Sequence, residues 1–441
     1  MIINQFRDKK ITVIGLGLLG RGVGDVKFLA ENGADLIVTD LKDEKQLKVS
    51  LDKLKKLKNI RYVLGQHRLE DFKNRDMVLK SAGVPLDSPY IKEAKKNNIP
   101  VEMSASLVAK LTDAKIIGVT GTRGKSTVTQ MIYEVLKKDK KKKVFLGGNI
   151  RGIATLPLLK KAKKGDIIVM ELDSWQLQGF GENKISPHIA VFTNLMRDHM
   201  NYYKNSMSKY FNDKANIYKY QKKGDYLIAG KEIANKIKNT STNTKDCLLS
   251  LQRTVLCVPK TWKLKVVGEH NRENAAFAME VAKVAGVSQS IIKKTLENFK
   301  GVEGRLEYMK TLRGVKIYND NNATSPDATI AALKALGSKD KNIVLIIGGA
   351  DKGLDMSKLM KEIPKYCKYV VLLAGSGTDK LKKLKVENKE VDNLKDGIML
   401  AIKNAKRGDT VLFSPTFASF GIFKNEYDRN DQFVDIIKKL K

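Results

Sequence analysis

The sequence is poor in cysteine, proline and acidic residues, and each shortage closes off a class of protein. Its three cysteines, Cys247, Cys257 and Cys367, are irregularly spaced. They fit neither a disulfide framework nor a zinc site, and they suit a reducing compartment. Nine prolines and a hydrophobic content of 42% argue against a disordered chain. No apolar run approaches the roughly eighteen residues that a membrane-spanning helix needs. The opening residues 1–6 lack the basic segment and apolar core of a secretion signal. A cytoplasmic chain without membrane insertion is expected. Acidic residues number 48 against 82 basic ones, a formal net charge of +34. Such a balance would suit nucleic acid, but lysine is spread over most expected helices. The densest run, 137–143, falls in an expected helix-to-strand connection. No helix interleaves basic residues with aromatics, as single-strand binding favours. The reading is a lysine-biased solvated surface with no specific nucleic-acid partner, in a field that also attracts phosphorylated small substrates.

What the chain does have is a glycine-rich turn between an apolar run and a helix-compatible one. Lys115-Ile116-Ile117-Gly118-Val119-Thr120 reads as a buried strand, and a helix is expected from Thr127 to Leu136. Between them, Thr120-Gly121-Thr122-Arg123-Gly124-Lys125-Ser126 has the parts of a phosphate loop, although Val119 stands where the usual pattern begins with glycine. Such a turn aims backbone N–H groups at phosphate oxygens. The helix N-terminus and Lys125 add positive charge, and Ser126 offers an oxygen to Mg²⁺.

With 441 residues the chain has room for several domains. The first opens with Lys10–Ile14, an apolar strand, followed by Gly15-Leu16-Gly17-Leu18-Leu19-Gly20 and then by Asp40 at the end of the next strand. This is the spacing of a Rossmann-like unit, with an anion at the helix N-terminus and an acid near a sugar. A dinucleotide and a nucleotide-sugar diphosphate both fit, because the loop recognises a pyrophosphate. Next to the phosphate loop, the strand 166–171 ends in Glu171, a candidate Mg²⁺ ligand. His199 follows the strand 189–194 and is a second candidate ligand; Lys214, taken alone, reads as a surface residue. Val266 and Val267 read as a strand end before a helix start, with Asn271 and Asn274 one turn apart on one face. From Gly301 onward βα alternation resumes. Polar residues cluster just past expected strand ends: Asp320 to Ser325, Gly348 to Gly353, and Ser414 to Phe420.

Taken in order, these segments resemble the Mur ligase family, and within it the type that adds glutamate to UDP-N-acetylmuramoyl-L-alanine. The resemblance rests on residues 15–20, 120–127, 147–150, Glu171-Leu172-Asp173-Ser174-Trp175-Gln176-Leu177, 198–200, 268–271, Gly304-Arg305, 319–320, 323–324, 348–353, and 414–423 with Arg429. It implies an α/β fold of three domains: a Rossmann-like UDP-substrate domain (1–111), a central P-loop ATPase-like domain (112–300) and a Rossmann-like, amino-acid-binding C-terminal domain (301–441). The implied reaction is ATP-dependent ligation of D-glutamate through an acyl phosphate in peptidoglycan precursor synthesis, by a monomer using Mg²⁺. By resemblance, Gly121, Thr122, Gly124, Lys125, Ser126, Thr127, Asn271, Arg305 and Asp320 contact ATP. Ser126 and Glu171 hold one Mg²⁺, while His199 and a carbamylated Lys214 hold a second. Gly15, Leu18, Leu19, Asp40, Asn149 and Gln176 contact the UDP-linked substrate, and Thr324, Lys352 and Ser419 the glutamate.

The chain departs from the family's habit at Asp173 (usually Ser), Asn322 (Lys), Gly304 (His), Gly421 (Asp) and Glu426 (often Phe). Glu426 leaves L-glutamate or another amino acid open as the substrate. A folylpolyglutamate synthetase-like ligase would lack the Rossmann-like opening, and the non-enzyme alternative is a basic nucleic-acid-binding protein.

Overall fold

The structure is a computed structural model that describes residues 2–18, 20–240, 254–255 and 257–440. It has three sheets of α/β type, distributed over two compact units: residues 1–257 with 275–292, and residues 258–274 with 293–441.

The first unit holds two sheets. In one, β1 (Lys10–Ile14), β2 (Asp35–Asp40), β3 (Ile60–Leu64), β4 (Met77–Lys80) and β5 (Val101–Glu102) lie in the order β3-β2-β1-β4-β5, all parallel. In the other, β6 (Lys115–Thr120), β7 (Val144–Gly148), β8 (Ile167–Glu171), β9 (Ile189–Phe192), β10 (Tyr226–Gly230) and β11 (Thr254–Val255) lie in the order β11-β10-β9-β6-β8-β7, again all parallel. The central strands are continuous apolar runs, as expected where helices cover both faces of a parallel sheet. β8, for example, is buried along its whole length.

One hydrophobic core joins these two sheets, from Val13 and Leu29 through Leu107 and Leu156 to Phe192 and Leu227. The junction is fixed by Asp25, buried on the helix Arg21–Glu31. Its carboxylate accepts from the backbone N–H of Thr155 (3.1 Å) and Leu156 (2.9 Å) and from the Ser104 hydroxyl. One turn of that helix sits so close to the second sheet's connection that a Cβ at Gly24 would meet the Ala154 Cβ at 2.4 Å. Only glycine permits that approach.

The second unit is built on β12 (Glu307–Leu312), β13 (Val315–Asn319), β14 (Ile343–Gly348), β15 (Cys367–Leu373), β16 (Asn388–Val391) and β17 (Thr410–Phe413). Their order is β12-β13-β17-β14-β15-β16, and only β12 runs antiparallel to its neighbour. Because β13, β17 and β14 are adjacent, the polar segments that follow them gather at one sheet edge.

Two expectations are corrected. Val266 and Val267 form no strand; the chain there is irregular and leads into the helix Glu269–Val284. A turn is the sequence expectation for the glycine pair Gly147-Gly148 after the apolar run 144–146, but both residues continue β7, with Gly148 opposite Glu171. The lysine run at 137–143 straddles the end of the helix Lys125–Asp139.

Candidate active site

β6 ends at Thr120 and the helix Lys125–Asp139 starts five residues later. The turn between them needs glycine twice. Gly121 has φ +143°, and a Cβ there would lie 1.9 Å from the Thr193 hydroxyl; Gly124, the N-cap, has φ +84°. The turn is held from outside by β9's continuation. Thr122 N donates to Asn194 O (2.9 Å), Arg123 N to Asn194 Oδ1 (2.9 Å), and Thr193 Oγ1 to Arg123 O (2.6 Å). The Thr122 hydroxyl accepts from Met196 N at 2.9 Å and lies 3.3 Å from the Tyr210 hydroxyl. The first turn of the helix, from Lys125 to Thr127, presents a positive dipole end to this loop.

Lys125 folds back on the loop, donating to Gly121 O (3.1 Å) and Thr122 O (3.2 Å). Lys214 comes from the helix Met207–Ala215 and reaches the same carbonyl, Gly121 O, at 2.8 Å. Its Nζ also lies 3.5 Å from Thr120 Oγ1 and 4.8 Å from the centre of the Tyr210 ring. Lys214 is no surface residue; it is 1% exposed. Burial, with the Lys125 charge as a second cause, holds its amine well below the ordinary lysine value.

Glu171 is buried at the C-terminal end of β8, opposite Val119 of β6 and Gly148 of β7, so its carboxylate flanks the phosphate-loop strand. His199 has left-handed backbone (φ +54°), and its ring packs 4.7 Å from Trp175. Burial lowers its pKa; Asp198 opposes that and Lys125 reinforces it. A neutral imidazole with a free lone pair is what a metal requires. Among the described residues no three His, Cys, Asp or Glu side chains converge. Mg²⁺ takes oxygen ligands and keeps several waters. Ser126 and Glu171 fit that donor set as they stand, whereas Lys214 fits only as a carbamate.

A cavity of about 440 Å³ opens at the edge of the first sheet, lined among others by Gly15, Gly17, Leu18, Arg21, Asp40 and Gln176. Asp40 Oδ2 accepts from Gly17 N (3.0 Å) and Oδ1 from Lys42 N (2.9 Å), so this acid shapes the glycine loop. Leu18 and Leu41 stand exposed on the rim, 48% and 67%. Leu19 lies outside the described residues. Asn149 accepts from the Arg21 guanidinium. Gln176 and Asp173 form a capping box at the helix Ser174–Glu182, with Gln176 N donating to Asp173 Oδ1 (2.8 Å) and Asp173 N to Gln176 Oε1 (3.3 Å). Asp173 thereby has a helix-capping role that a serine also fills.

The cavity also takes in residues that sequence reasoning passed over: Arg21, Lys42, His67 and Lys80. The Thr39 hydroxyl lies 3.0 Å from Gln66 O and 2.6 Å from His67 Nδ1. With the hydroxyl proton on Gln66 O, His67 is protonated at Nδ1 and keeps Nε2 as an acceptor.

In the second unit, Asn271 Nδ2 donates to Val267 O (2.8 Å) and Asn274 Nδ2 to Asn271 Oδ1 (3.1 Å). Asp320 is buried just past β13 and accepts from Leu306 N (3.0 Å) and Ser414 Oγ (3.1 Å); Arg305 precedes Leu306 in the same turn. Lys352 Nζ donates to Thr324 O at 3.1 Å, and paired backbone bonds between Ala350 and Ala418 bring the neighbouring Ser419 to the same edge. The guanidinium of Arg429 is fully buried. It donates to Asn321 Oδ1 (2.8 Å), Asn321 O (2.9 Å) and Phe417 O (3.2 Å), tying two of these loops together.

Family models match this chain in three consecutive stretches: "Mur ligase MurD-like, N-terminal domain" at residues 9–102, "Mur ligase middle domain" at 119–282 and "Mur ligase, glutamate ligase domain" at 304–417. The chain belongs to the Mur ligase family. A UDP-N-acetylmuramoylalanine–D-glutamate ligase of Borreliella burgdorferi is 35% identical over the whole of both chains. One from Roseiflexus is 35% identical over 99% of this chain and all of the relative. The fold is that of the UDP-N-acetylmuramate–alanine ligase of Thermotoga maritima, with a TM-score of 0.63 at 21% identity, covering 98% of this chain and 100% of that one. As a Mur ligase the chain is an ATP-dependent ligase, and its phosphate loop lies within the middle-domain match. No described helix is long and apolar enough to cross a membrane.

Proposed function

We propose that this Mur ligase joins D-glutamate to UDP-N-acetylmuramoyl-L-alanine, with cleavage of ATP to ADP and phosphate, in peptidoglycan precursor synthesis. The observation that carries this reading is full-length similarity to relatives of that name. An oxygen of the alanyl carboxylate attacks the γ-phosphorus, ADP leaves, and an acyl phosphate forms. The glutamate amine then attacks the acyl carbon. Collapse of the tetrahedral adduct breaks the C–O bond, releases phosphate and leaves an amide, with the amine proton passing to solvent.

Both partners in the first step are anions, so the site must neutralise charge. The loop from Gly121 to Gly124, with the helix start at Lys125–Thr127, receives the phosphates, and Lys125 leaves its loop carbonyls for them. Mg²⁺, when bound, shields the phosphate charge. Ser126 and Glu171 hold one ion, and His199 with a carbamylated Lys214 hold the second. Asn271, Arg305 and Asp320 contribute to the ATP site.

The cavity at the first sheet takes the UDP-linked substrate, with the pyrophosphate at Gly15–Gly20, the base at the rim leucines and Asp40, and the sugar toward Asn149 and Gln176. Thr324, Lys352 and Ser419 receive glutamate. Domain limits of 1–111, 112–300 and 301–441, a monomer, and a cytoplasmic location complete the reading. A second reading, L-glutamate or another amino acid, is favoured by Glu426 in the first turn of the helix Glu426–Lys439 and by Gly421.

The test is phosphate release from ATP by the purified chain, with UDP-N-acetylmuramoyl-L-alanine and a panel of D- and L-amino acids. Turnover only with D-glutamate supports the first reading. Preference for another amino acid supports the second, and turnover stimulated by DNA but not by the nucleotide sugar contradicts both.

A further inference from the structure

Lys80 is 2% exposed, a burial matched among the lysines only by Lys214 within the described residues. It ends β4, next to β1, whose C-terminal end carries Gly15. Strand order reverses direction between β1 and β4, and ligands of open α/β sheets sit in that crevice. Lys80 is among the residues that line the cavity, together with Gly15, Arg21, Met103 and Gln176.

An ammonium carries three N–H donors. Lys80 Nζ donates to Ser81 O at 3.2 Å and Val84 O at 2.7 Å, which accounts for two of them among the described residues. No carboxylate forms an ion pair with it there; Asp173, Asp213 and Glu182 act on it only from a distance. Burial draws its pKa down to about 8, so it remains largely charged at neutral pH. A buried cation with a spare donor, at the ligand-binding crevice of a sheet, calls for an anion supplied from outside the chain.

We propose that Lys80 is a substrate-binding residue, whose ammonium donates to an anionic oxygen of the UDP-linked substrate in this cavity. The inference rests on reading the cavity as the nucleotide-sugar site. That oxygen belongs to the pyrophosphate or to the alanyl carboxylate, two anions of one ligand. The competing role is a clamp that only fastens residues 81–84 through the two carbonyls.

Lys80→Gln separates the two roles, because its amide keeps two N–H donors for those carbonyls and removes the charge. Lys80→Met removes both. Calorimetric titration of the full chain with uridine, UDP and UDP-N-acetylmuramoyl-L-alanine reads the outcome, with ATP binding and Tm as controls. The expected result is a loss of tenfold or more in affinity for UDP-N-acetylmuramoyl-L-alanine in Lys80→Gln, with uridine, ATP and Tm near wild type. If UDP is weakened as much, the oxygen is a pyrophosphate oxygen; if only the full substrate is weakened, it is the carboxylate. Wild-type affinities for all three ligands in Lys80→Gln would overturn the proposal while leaving the cavity assignment intact. A wild-type chain that binds none of the three would overturn that assignment as well.

Discussion

Lys125 and Lys214 donate to one carbonyl oxygen, that of Gly121, at 3.1 and 2.8 Å. Two amines cannot both stay charged cheaply around a single acceptor, and the buried one yields: Lys214 is held well below its ordinary pKa. A neutral amine is the form that adds CO₂. Carbamylation would turn a repulsive neighbour of Lys125 into an anion and so supply the oxygen ligand that an amine cannot. Lys214→Ala is expected to lower ligase turnover by about 100-fold or more, the scale of losing a group that stabilises transition-state charge. Short carboxylates are expected to restore part of it. Phosphate-release assays with and without added formate or acetate check this, and loss without any rescue would argue for a purely structural lysine.

Lys125→Ala is expected to reduce phosphate release by about 100-fold or more, with little change in Tm. Its partners in the structure are loop carbonyls at a half-buried surface, so the fold loses little. Near-normal turnover would remove Lys125 from the phosphate site.

Asp25 joins the two sheets of the first unit, and burial pushes its carboxyl up to about 6 from the ordinary 3.8. A carboxyl raised by folding favours the fold in acid, and that contribution is lost as pH rises from about 4 to about 6. Asp25→Asn removes this titration. Thermal melts across that window should show a flatter pH dependence in the variant than in wild type, and parallel curves would refute the assignment.

Arg429 ties the loops after β13 and β17 through three hydrogen bonds in a fully buried setting. Arg429→Met would strand Asn321 O and Phe417 O, at a cost of about 1–3 kcal/mol for each orphaned group. Denaturant melts should show a loss of that order, and KM for the amino acid should rise with it. A variant as stable as wild type would show that the loops hold without the guanidinium.

Much of this was legible in the sequence, for identifiable reasons. Lys10–Ile14 and Lys115–Thr120 are apolar runs bounded by polar or glycine residues, and their strands have those limits. The strands that escaped are short or carry mixed burial. Val101–Glu102 has two residues, while Glu307–Leu312 and Asn388–Val391 are half-exposed, polar strands at a sheet edge. Lys80 went unseen because, in a chain with 82 lysines and arginines, one more lysine after an apolar run reads as surface. Lys214 was raised only by resemblance, since burial of a helical lysine leaves no local trace. Gly304 became intelligible only in three dimensions. At φ +66°, a Cβ there would press on Asn430 Oδ1 at 2.9 Å and Asn322 Nδ2 at 3.0 Å.

The central claim is that the substrate's own carboxylate receives the phosphoryl group. UDP-N-acetylmuramoyl-L-alanine labelled with ¹⁸O in that carboxylate tests it directly, by mass analysis of the phosphate released during ligation. The account predicts one ¹⁸O atom transferred to each phosphate, because the oxygen that attacks phosphorus leaves with it. Unlabelled phosphate accompanying amide formation would contradict the account.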